Sequence, residues 1–245
     1  MAQTIQAKVG FVSPASAAST HLESFKAVVP EGVRMDLEGL GLVRSSFNDF
    51  KGKTGDVVER VEALVKANGW QGVFVGGAPL ELMNPGLGEE LHKAIKIPVA
   101  TALESCVTAL KAFSAKQVLL MTPFDDSMNQ LIRDYLANQG LIAISPPPPF
   151  KDYRDASKLE PEAVFSLTKK SVEAVKEFQA IYFQGGVLDP LRVVERIERE
   201  IPTTVVASNT AMLWNILSRL GLKYRVPGRG KLLEEWPRLP KSFDS

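Results

Sequence analysis

The feature that most restricts the fold of this chain is an alternation of short apolar runs with stretches of helical periodicity. Runs that are apolar throughout, rather than at every second residue, are typical of strands buried on both faces of a parallel sheet. Eight runs rich in Val, Ile and Phe have this character, at residues 8–12, 33–37, 72–75, 98–101, 116–121, 141–145, 180–183 and 203–207.

The segments between these runs have the spacing of amphipathic helices. Within residues 55–67, for example, Val57, Val61 and Leu64 fall on one face of a helix. Residues 126–138 and 193–200 show the same pattern. Strands that alternate with helices in this way predict an α/β fold with parallel sheets.

The second half of the sequence repeats features of the first half in the same order. Repetition at a nearly constant offset predicts a duplicated unit of four strands, although chance similarity among strand–helix units is the alternative. We therefore predict two pseudo-symmetric lobes, each a four-stranded parallel sheet flanked by helices. The matching pairs are Ser13-Pro14 with Thr122-Pro123, Gly76-Gly77 with Gly185-Gly186, and Ile97-Pro98 with Ile201-Pro202.

The repeat also predicts how the chain is divided. We expect residues 1–103 plus 218–245 to form the first lobe and residues 104–217 the second, with an active-site cleft between them. The proline-rich residues 145–150 are predicted to form a loop, because proline lacks the amide N–H that a strand or helix interior needs. Trp236 suggests that the C-terminal segment docks on the body of the protein.

Composition narrows the function to small-molecule chemistry. The net charge is +1, from 29 Lys and Arg against 28 Asp and Glu, so nothing in it favours a nucleic acid partner. A single cysteine, Cys106, excludes an internal disulfide, and two histidines, His21 and His92, disfavour a metal site. Residues 1–8 lack the apolar stretch of a signal peptide, and no run is long enough to span a membrane. We expect a cytoplasmic protein without a membrane partner.

The first strand is followed neither by a P-loop motif (G-x-x-x-x-G-K-S/T) nor by a dinucleotide-binding motif (G-x-G-x-x-G). We therefore expect no nucleotide cofactor, and no other cofactor is predicted. Ligands of parallel sheets bind beyond the carboxyl ends of the strands. Glycines there let backbone N–H groups approach a ligand, and helix N-termini favour an anion such as a carboxylate, although each glycine pair alone is better explained as a tight turn without a ligand. The predicted substrate-binding residues are Ser13, Pro14, Gly76, Gly77, Ala78, Pro79, Phe124, Gly185, Gly186, Ser208 and Asn209.

Few titratable side chains follow the strands. Glu104 comes after the fourth strand and is the candidate general acid or base, the alternative being a solvent-facing residue of a first helical turn. Glu81 is a weaker candidate of the same kind. Asp125 is better explained as a helix N-cap, and Cys106 as a small buried hydrophobic residue than as a nucleophile.

These motifs together resemble the aspartate/glutamate racemase superfamily, within it the branch of arylmalonate decarboxylase and maleate isomerase. The resemblance implies two pseudo-symmetric lobes, no cofactor, chemistry at the carbon beside a carboxylate, and frequent self-association, so a homo-oligomer is an open alternative. It is carried by residues 9–14, 73–80, 122–124, 184–188 and 201–214.

The resemblance also implies cysteines that this chain lacks. Racemases of the superfamily place one cysteine after the third strand and one after the seventh, and arylmalonate decarboxylase keeps the second. These positions correspond to Gly77 (or Gly76) and to Gln184 (or Gly185). The family's tyrosine after the fifth strand corresponds to Phe124, which makes the pocket more apolar.

Three functions remain open at this point. The first is a lyase or isomerase that acts on a small carboxylic acid without cysteine, in which Glu104 moves the proton and Gln184 helps to hold the developing oxyanion. The second is a hydrolase in which Glu104 activates water. The third is a protein that binds a small carboxylate without catalysis.

Overall fold

The eight predicted strands are all present in the computed structural model, which describes residues 5–15, 22–43, 46–147 and 149–240. His21 and Pro148, about which the sequence made predictions, lie outside the described residues. The strands are β1 (Ala7–Ser13), β2 (Val33–Gly39), β3 (Gly72–Val75), β4 (Val99–Thr101), β5 (Gln117–Met121), β6 (Ile142–Ile144), β7 (Ala180–Phe183) and β8 (Thr204–Ala207).

These strands form two four-stranded sheets with the same topology. The order is β2-β1-β3-β4 in the first sheet and β6-β5-β7-β8 in the second, and all described strand pairs are parallel. β3 and β7 are buried along their whole length because helices cover both faces. The predicted fold class is therefore confirmed.

Helices connect the strands in every crossover that the described residues cover. They are α1 (Glu23–Lys26), α2 (Thr54–Asn68), α3 (Ala78–Met83), α4 (Leu87–Ala94), α5 (Ala102–Ala112), α6 (Asp126–Asn138), α7 (Pro161–Ala174), α8 (Val194–Glu200), α9 (Ser208–Arg219) and α10 (Lys231–Glu235). Two 3-10 helices, Phe47–Phe50 and Tyr153–Lys158, lie in the longer connections. Asp125 caps α6 as predicted, because its carboxylate accepts the Met128 N–H at 2.9 Å.

The strand register corrects one detail of the predicted repeat. Gly76 N–H donates to the Val12 carbonyl at 2.9 Å, and Gln184 N–H donates to the Met121 carbonyl at 3.0 Å. Gly76 is therefore the structural equivalent of Gln184, and Gly77 that of Gly185. The sequence comparison had paired Gly76 with Gly185, which is one residue too far along the second lobe. Local sequence likeness could not detect this shift, because only the pairing between strands fixes the register.

Two helices that pack on each other hold the lobes together. α9 contacts β3, β4 and β8, and α5 contacts β4 and β8. α10 packs on α9 and β8, and the Trp236 indole N–H donates to Ser218 Oγ at 3.0 Å, as expected for a docked C-terminal segment. The division of the chain at residues 103 and 217 stays a prediction. In the part of the chain that is described, none of the helices could cross a membrane.

Candidate functional site

A cleft of about 400 Å³ lies between the two sheets, beyond the carboxyl ends of their strands. Parallel strands place the residues that follow them at one edge of the sheet, which is why distant turns converge here. Gln184 and all eleven predicted substrate-binding residues line this cleft, namely Ser13, Pro14, Gly76, Gly77, Ala78, Pro79, Phe124, Gly185, Gly186, Ser208 and Asn209.

Two glycines shape the floor of the cleft in the same way in both lobes. Gly77 has a φ of +97° and Gly185 a φ of +102°, a region that other residues rarely adopt. A Cβ at Gly77 would lie 2.7 Å from Cγ of Pro14, and one at Gly185 would lie 2.9 Å from Cδ of Pro123. The two turns thus need glycine for their own geometry, in addition to any contact with a ligand.

The N-terminus of α9 forms one polar corner of the cleft. This twelve-residue helix begins at Ser208, and no side chain caps its first N–H groups. Uncapped N–H groups and the helix dipole favour an anion. Ser208 and Asn209 also face the cleft and can add hydrogen bonds. This corner is suited to a carboxylate.

Aromatic rings form an apolar wall of the cleft. The ring of Phe47 lies 5.4 Å from that of Phe124 in an edge-on arrangement, and 4.7 Å from the ring of Tyr153. Phe50 stacks behind Phe47 at 6.0 Å. The cleft thus combines a polar corner with an apolar wall, which suits a carboxylic acid that carries a hydrophobic group.

Gln184 is held at the base of the cleft by the second lobe. Its side-chain oxygen accepts the Tyr182 hydroxyl in a short hydrogen bond and lies 3.9 Å from Sγ of Cys106. Gln184 and Cys106 are both buried. Burial raises the pKa of the Cys106 thiol far above its usual range, which keeps the thiol protonated.

The comparisons with known proteins agree with this architecture. The sequence profile of a family described as arylmalonate decarboxylase matches residues 9–233. The chain belongs to this family. Among its relatives is the arylmalonate decarboxylase of Bordetella bronchiseptica, 24% identical over 205 residues, which cover 80% of this chain and 85% of the relative.

The relatives of this chain also include isomerases. A maleate isomerase of Alcaligenes faecalis is 26% identical over 145 residues, covering 58% of this chain and 56% of the relative. A crystal structure of arylmalonate decarboxylase superposes with a TM-score of 0.80 at 22% identity, covering 93% of this chain and 99% of the other. The maleate isomerase Iso from Pseudomonas putida S16 gives a TM-score of 0.77 at 18% identity, covering 94% and 99%. The predicted branch of the racemase superfamily is confirmed.

Glu104 does not lie in the cleft, although the sequence predicted it there. Its carboxylate pairs with Arg219 through a short contact and lies 3.2 Å from Nε2 of His92. Residues two apart on a helix point in nearly opposite directions. Since Cys106 of α5 faces Gln184, Glu104 faces away from the cleft.

A second cavity, of about 460 Å³, contains Glu104 and also Glu81. Glu81 accepts hydrogen bonds from Thr101 Oγ1 at 2.7 Å and from the Leu103 N–H at 2.9 Å. Loss of hydration raises the pKa of Glu81 to about 7, outweighing these hydrogen bonds, which lower it. Both predicted glutamates thus lie outside the cleft.

The structure adds cleft residues that the sequence did not indicate. Most come from connections that carry no strand-end signal, and Tyr153 and Arg154 lie in the charged loop after the proline-rich stretch. The added residues are Phe11, Ala15, Leu22, Val43, Phe47, Phe50, Tyr153, Arg154, Ser157, Val187 and Met212.

Proposed function

We propose that this protein is a cofactor-independent enzyme of the lyase or isomerase type that acts on a small carboxylic acid bound in the cleft. Decarboxylation is the reaction that we favour. The proposal is carried by one observation, the presence of the polar corner at Ser208 and the aromatic wall at Phe124 in the same cleft. The relatives named above are a decarboxylase and isomerases.

Decarboxylation needs a place for the negative charge that develops. In the proposed step, the bond between the substrate carbon and one carboxylate breaks and carbon dioxide leaves. The bonding electrons move onto the remaining carboxyl group as an enediolate, and a proton then adds to the carbon. N–H groups at the start of α9 and in the turn at Gly185 and Gly186 would stabilise that charge.

The aromatic wall would assist the departure of carbon dioxide. A carboxylate beside the rings of Phe47, Phe124 and Tyr153 loses water contacts, and the faces of these rings offer it no hydrogen bonds in return. Loss of the carboxylate as neutral carbon dioxide relieves that cost, since the charge moves to the polar corner. The apolar wall and the polar corner thus contribute to the same step.

The position of Cys106 argues against a thiolate mechanism. A mutant of the maleate cis-trans isomerase from Nocardia farcinica holds a covalently bound succinylcysteine intermediate. The thiol of Cys106 is buried, and its raised pKa keeps it neutral. We therefore propose that the proton comes from water or from a hydroxyl such as that of Ser13 or Ser208, both of which line the cleft.

Glu104 no longer supports the hydrolase alternative, because it lies outside the cleft. A non-catalytic carboxylate-binding protein remains the second candidate, and one observation favours it. Among the described residues that line the cleft there is no aspartate, glutamate, histidine, lysine or cysteine that could act as a general acid or base.

Proton NMR in deuterated buffer separates the two candidates. Small carboxylic acids, including phenylmalonate, maleate and phenylacetate, are first screened for an increase in Tm. Each acid that binds is then followed by NMR with and without the protein. Loss of carbon dioxide, with deuterium at the product carbon, supports the decarboxylase. A ligand that stabilises the fold and remains chemically unchanged supports the binding protein. Binding of none of these acids would contradict both.

A matched pair of variants tests the location of the site. Asn209→Ala removes a side chain that faces the cleft, whereas Asn138→Ala changes an exposed asparagine at the end of α6. Loss of a hydrogen bond to a charged ligand should raise Kd about tenfold or more in Asn209→Ala. Asn138→Ala should bind as the wild type does. Equal affinity of the two variants would place the ligand elsewhere.

A further inference from the structure

Arg154 gives the cleft a charge that its strand-end residues lack. Among the described residues that line the cleft, it is the one whose side chain carries a permanent charge. It belongs to the 3-10 helix Tyr153–Lys158, in the connection between β6 and α7. A cation at the edge of an otherwise neutral cleft attracts an anionic ligand.

The guanidinium of Arg154 is held by a neighbour in the same segment. Its Nε lies 2.9 Å from Oδ1 and 3.0 Å from Oδ2 of Asp152, and a terminal nitrogen makes a short contact with Oδ2. The Asp152 carboxylate also accepts the backbone N–H of Arg154 at 2.9 Å. Arg154 lowers the pKa of Asp152 to about 2, so this carboxylate stays charged in the neutral range.

Tyr153 fixes the segment across the cleft. Its ring lies 4.7 Å from the ring of Phe47, which belongs to the first lobe, and the Arg154 guanidinium carbon lies 5.9 Å from the Tyr153 ring centroid. The segment comes from the second lobe. The cation therefore lies where the two lobes meet, beside the aromatic wall.

A ligand carboxylate could replace Asp152 as the partner of Arg154 at little cost. The Arg154 side chain is 70% exposed and that of Asp152 is 37% exposed. Exposed ion pairs contribute little to stability because water competes with them. A ligand carboxylate that reaches the guanidinium from inside the cleft would keep the two-pronged geometry and lose less to solvent.

We propose that Arg154 is a specificity-determining residue that binds a ligand carboxylate, and that Asp152 occupies the guanidinium when the cleft is empty. This inference rests on the proposed function, in which the cleft binds a small carboxylic acid. The polar corner at α9 takes one carboxylate and Arg154 takes another. Arg154 then distinguishes an aromatic dicarboxylate from the corresponding monocarboxylate.

Calorimetric binding of phenylmalonate and phenylacetate tests this assignment. Arg154→Gln should weaken the binding of phenylmalonate about tenfold to a hundredfold, because a charge-assisted hydrogen-bonded pair is lost. Its affinity for phenylacetate should change by less than about threefold, since one carboxylate is already held by α9. Arg154→Lys should lie between the wild type and Arg154→Gln, because the charge remains and the fork is lost.

Asp152→Asn separates a binding role from a structural one. It weakens the same ion pair, so a structural role predicts weaker phenylmalonate binding in this variant too. If the ligand carboxylate replaces that of Asp152, the variant should instead bind phenylmalonate about twofold to fivefold more tightly, because the Asp152 carboxylate no longer competes for Arg154. Lys158→Gln, which removes the partner of Asp155 in the same segment, is the control and should bind as the wild type does.

The outcomes also distinguish this inference from the proposed function. If the wild type binds phenylmalonate and Arg154→Gln binds it equally well, the assignment of Arg154 is wrong and the carboxylate-binding cleft stands. Weaker binding by Asp152→Asn would overturn the exchange. If the wild type binds neither acid, the proposed function fails first, and the inference fails with it.

Discussion

The turns after β3 and β7 share a glycine with positive φ but differ in the residue that precedes it. Gly77 and Gly185 have nearly the same positive φ, and each lies against a proline that follows the first strand of its lobe. The residue before each glycine differs, since Gly76 in the first lobe corresponds to Gln184 in the second. The duplicated fold thus preserves the turn and varies the group that it presents.

The neighbouring strand explains why the two positions differ. A Cβ at Gly76 would lie 2.7 Å from the ring of Phe11 on β1. The equivalent of Phe11 on β5 is Leu120, whose side chain is smaller. The first lobe therefore contributes an aromatic floor and the second contributes an amide, so the cleft is asymmetric although the fold is not.

Gly185→Ala tests the shared part of the comparison and should have the largest effect. An alanine there has a disfavoured φ and a Cβ 2.9 Å from Pro123 and 3.0 Å from Phe124. We expect a loss of about 2–4 kcal/mol in the free energy of unfolding, measured in urea. Gly140→Ala is the control, because its φ is +76° but nothing lies within 4 Å, and its loss should be about 1 kcal/mol. Equal losses would show that crowding at the turn is unimportant.

Gln184→Leu tests the amide of the second lobe. The substitution keeps the volume but leaves the buried Tyr182 hydroxyl without its acceptor. The free energy of unfolding should fall by about 1–3 kcal/mol. Adding Tyr182→Phe should recover most of this loss, since both polar groups are then gone. A double variant as unstable as the sum of the single ones would contradict the importance of this hydrogen bond.

Gly76→Ala tests the aromatic floor of the first lobe. Its Cβ would meet the edge of the Phe11 ring, and the expected loss in the free energy of unfolding is about 1–2 kcal/mol. Phe11→Leu makes this strand resemble β5, so Gly76→Ala should cost less than half as much in that background. Strict additivity, measured in a double-mutant cycle, would show that Phe11 does not restrict this position.

Glu81→Gln tests the acidic residues that lie four positions after the two glycines with positive φ. These residues are Glu81 in the first lobe and Asp189 in the second. With a folded-state pKa of about 7, Glu81 keeps its proton while the unfolded chain loses one near pH 4.5. The free energy of unfolding should therefore fall as the pH rises from about 4.5 to 7, and then level off. Because Glu81 is only partly buried, solvent should reduce the effect to on the order of 1 kcal/mol.

Urea denaturation at pH 5 and pH 8 measures the difference in the free energy of unfolding between the two pH values. Glu81→Gln should reduce it, whereas Asp189→Asn, at the equivalent position of the second lobe, should retain the wild-type difference. Asp189 accepts hydrogen bonds from the Ser24 hydroxyl and from the Leu191 N–H. If Asp189→Asn removes the pH dependence and Glu81→Gln does not, the source lies in the second lobe.

The amino-acid sequence alone predicts the strands, their grouping into two similar sheets and about half of the residues that line the cleft. Continuous apolar runs can be buried only in a covered parallel sheet, and parallel strands necessarily bring the turns that follow them to one edge. Ser13, Gly77, Gly185 and Ser208 could thus be assigned to one cleft without coordinates. Local pattern was sufficient because each of these residues lies within two residues of the end of a strand.

The positions of the charged side chains depend on tertiary packing. Glu104 follows a strand too, but the rotation of α5 against α9 and β8 turns it towards Arg219 and away from the cleft. Arg154 lies far from any strand end in sequence, and the packing of Tyr153 on Phe47 brings it to the cleft. The direction of a helical side chain and the path of a long connection depend on contacts between distant segments, which no local pattern records.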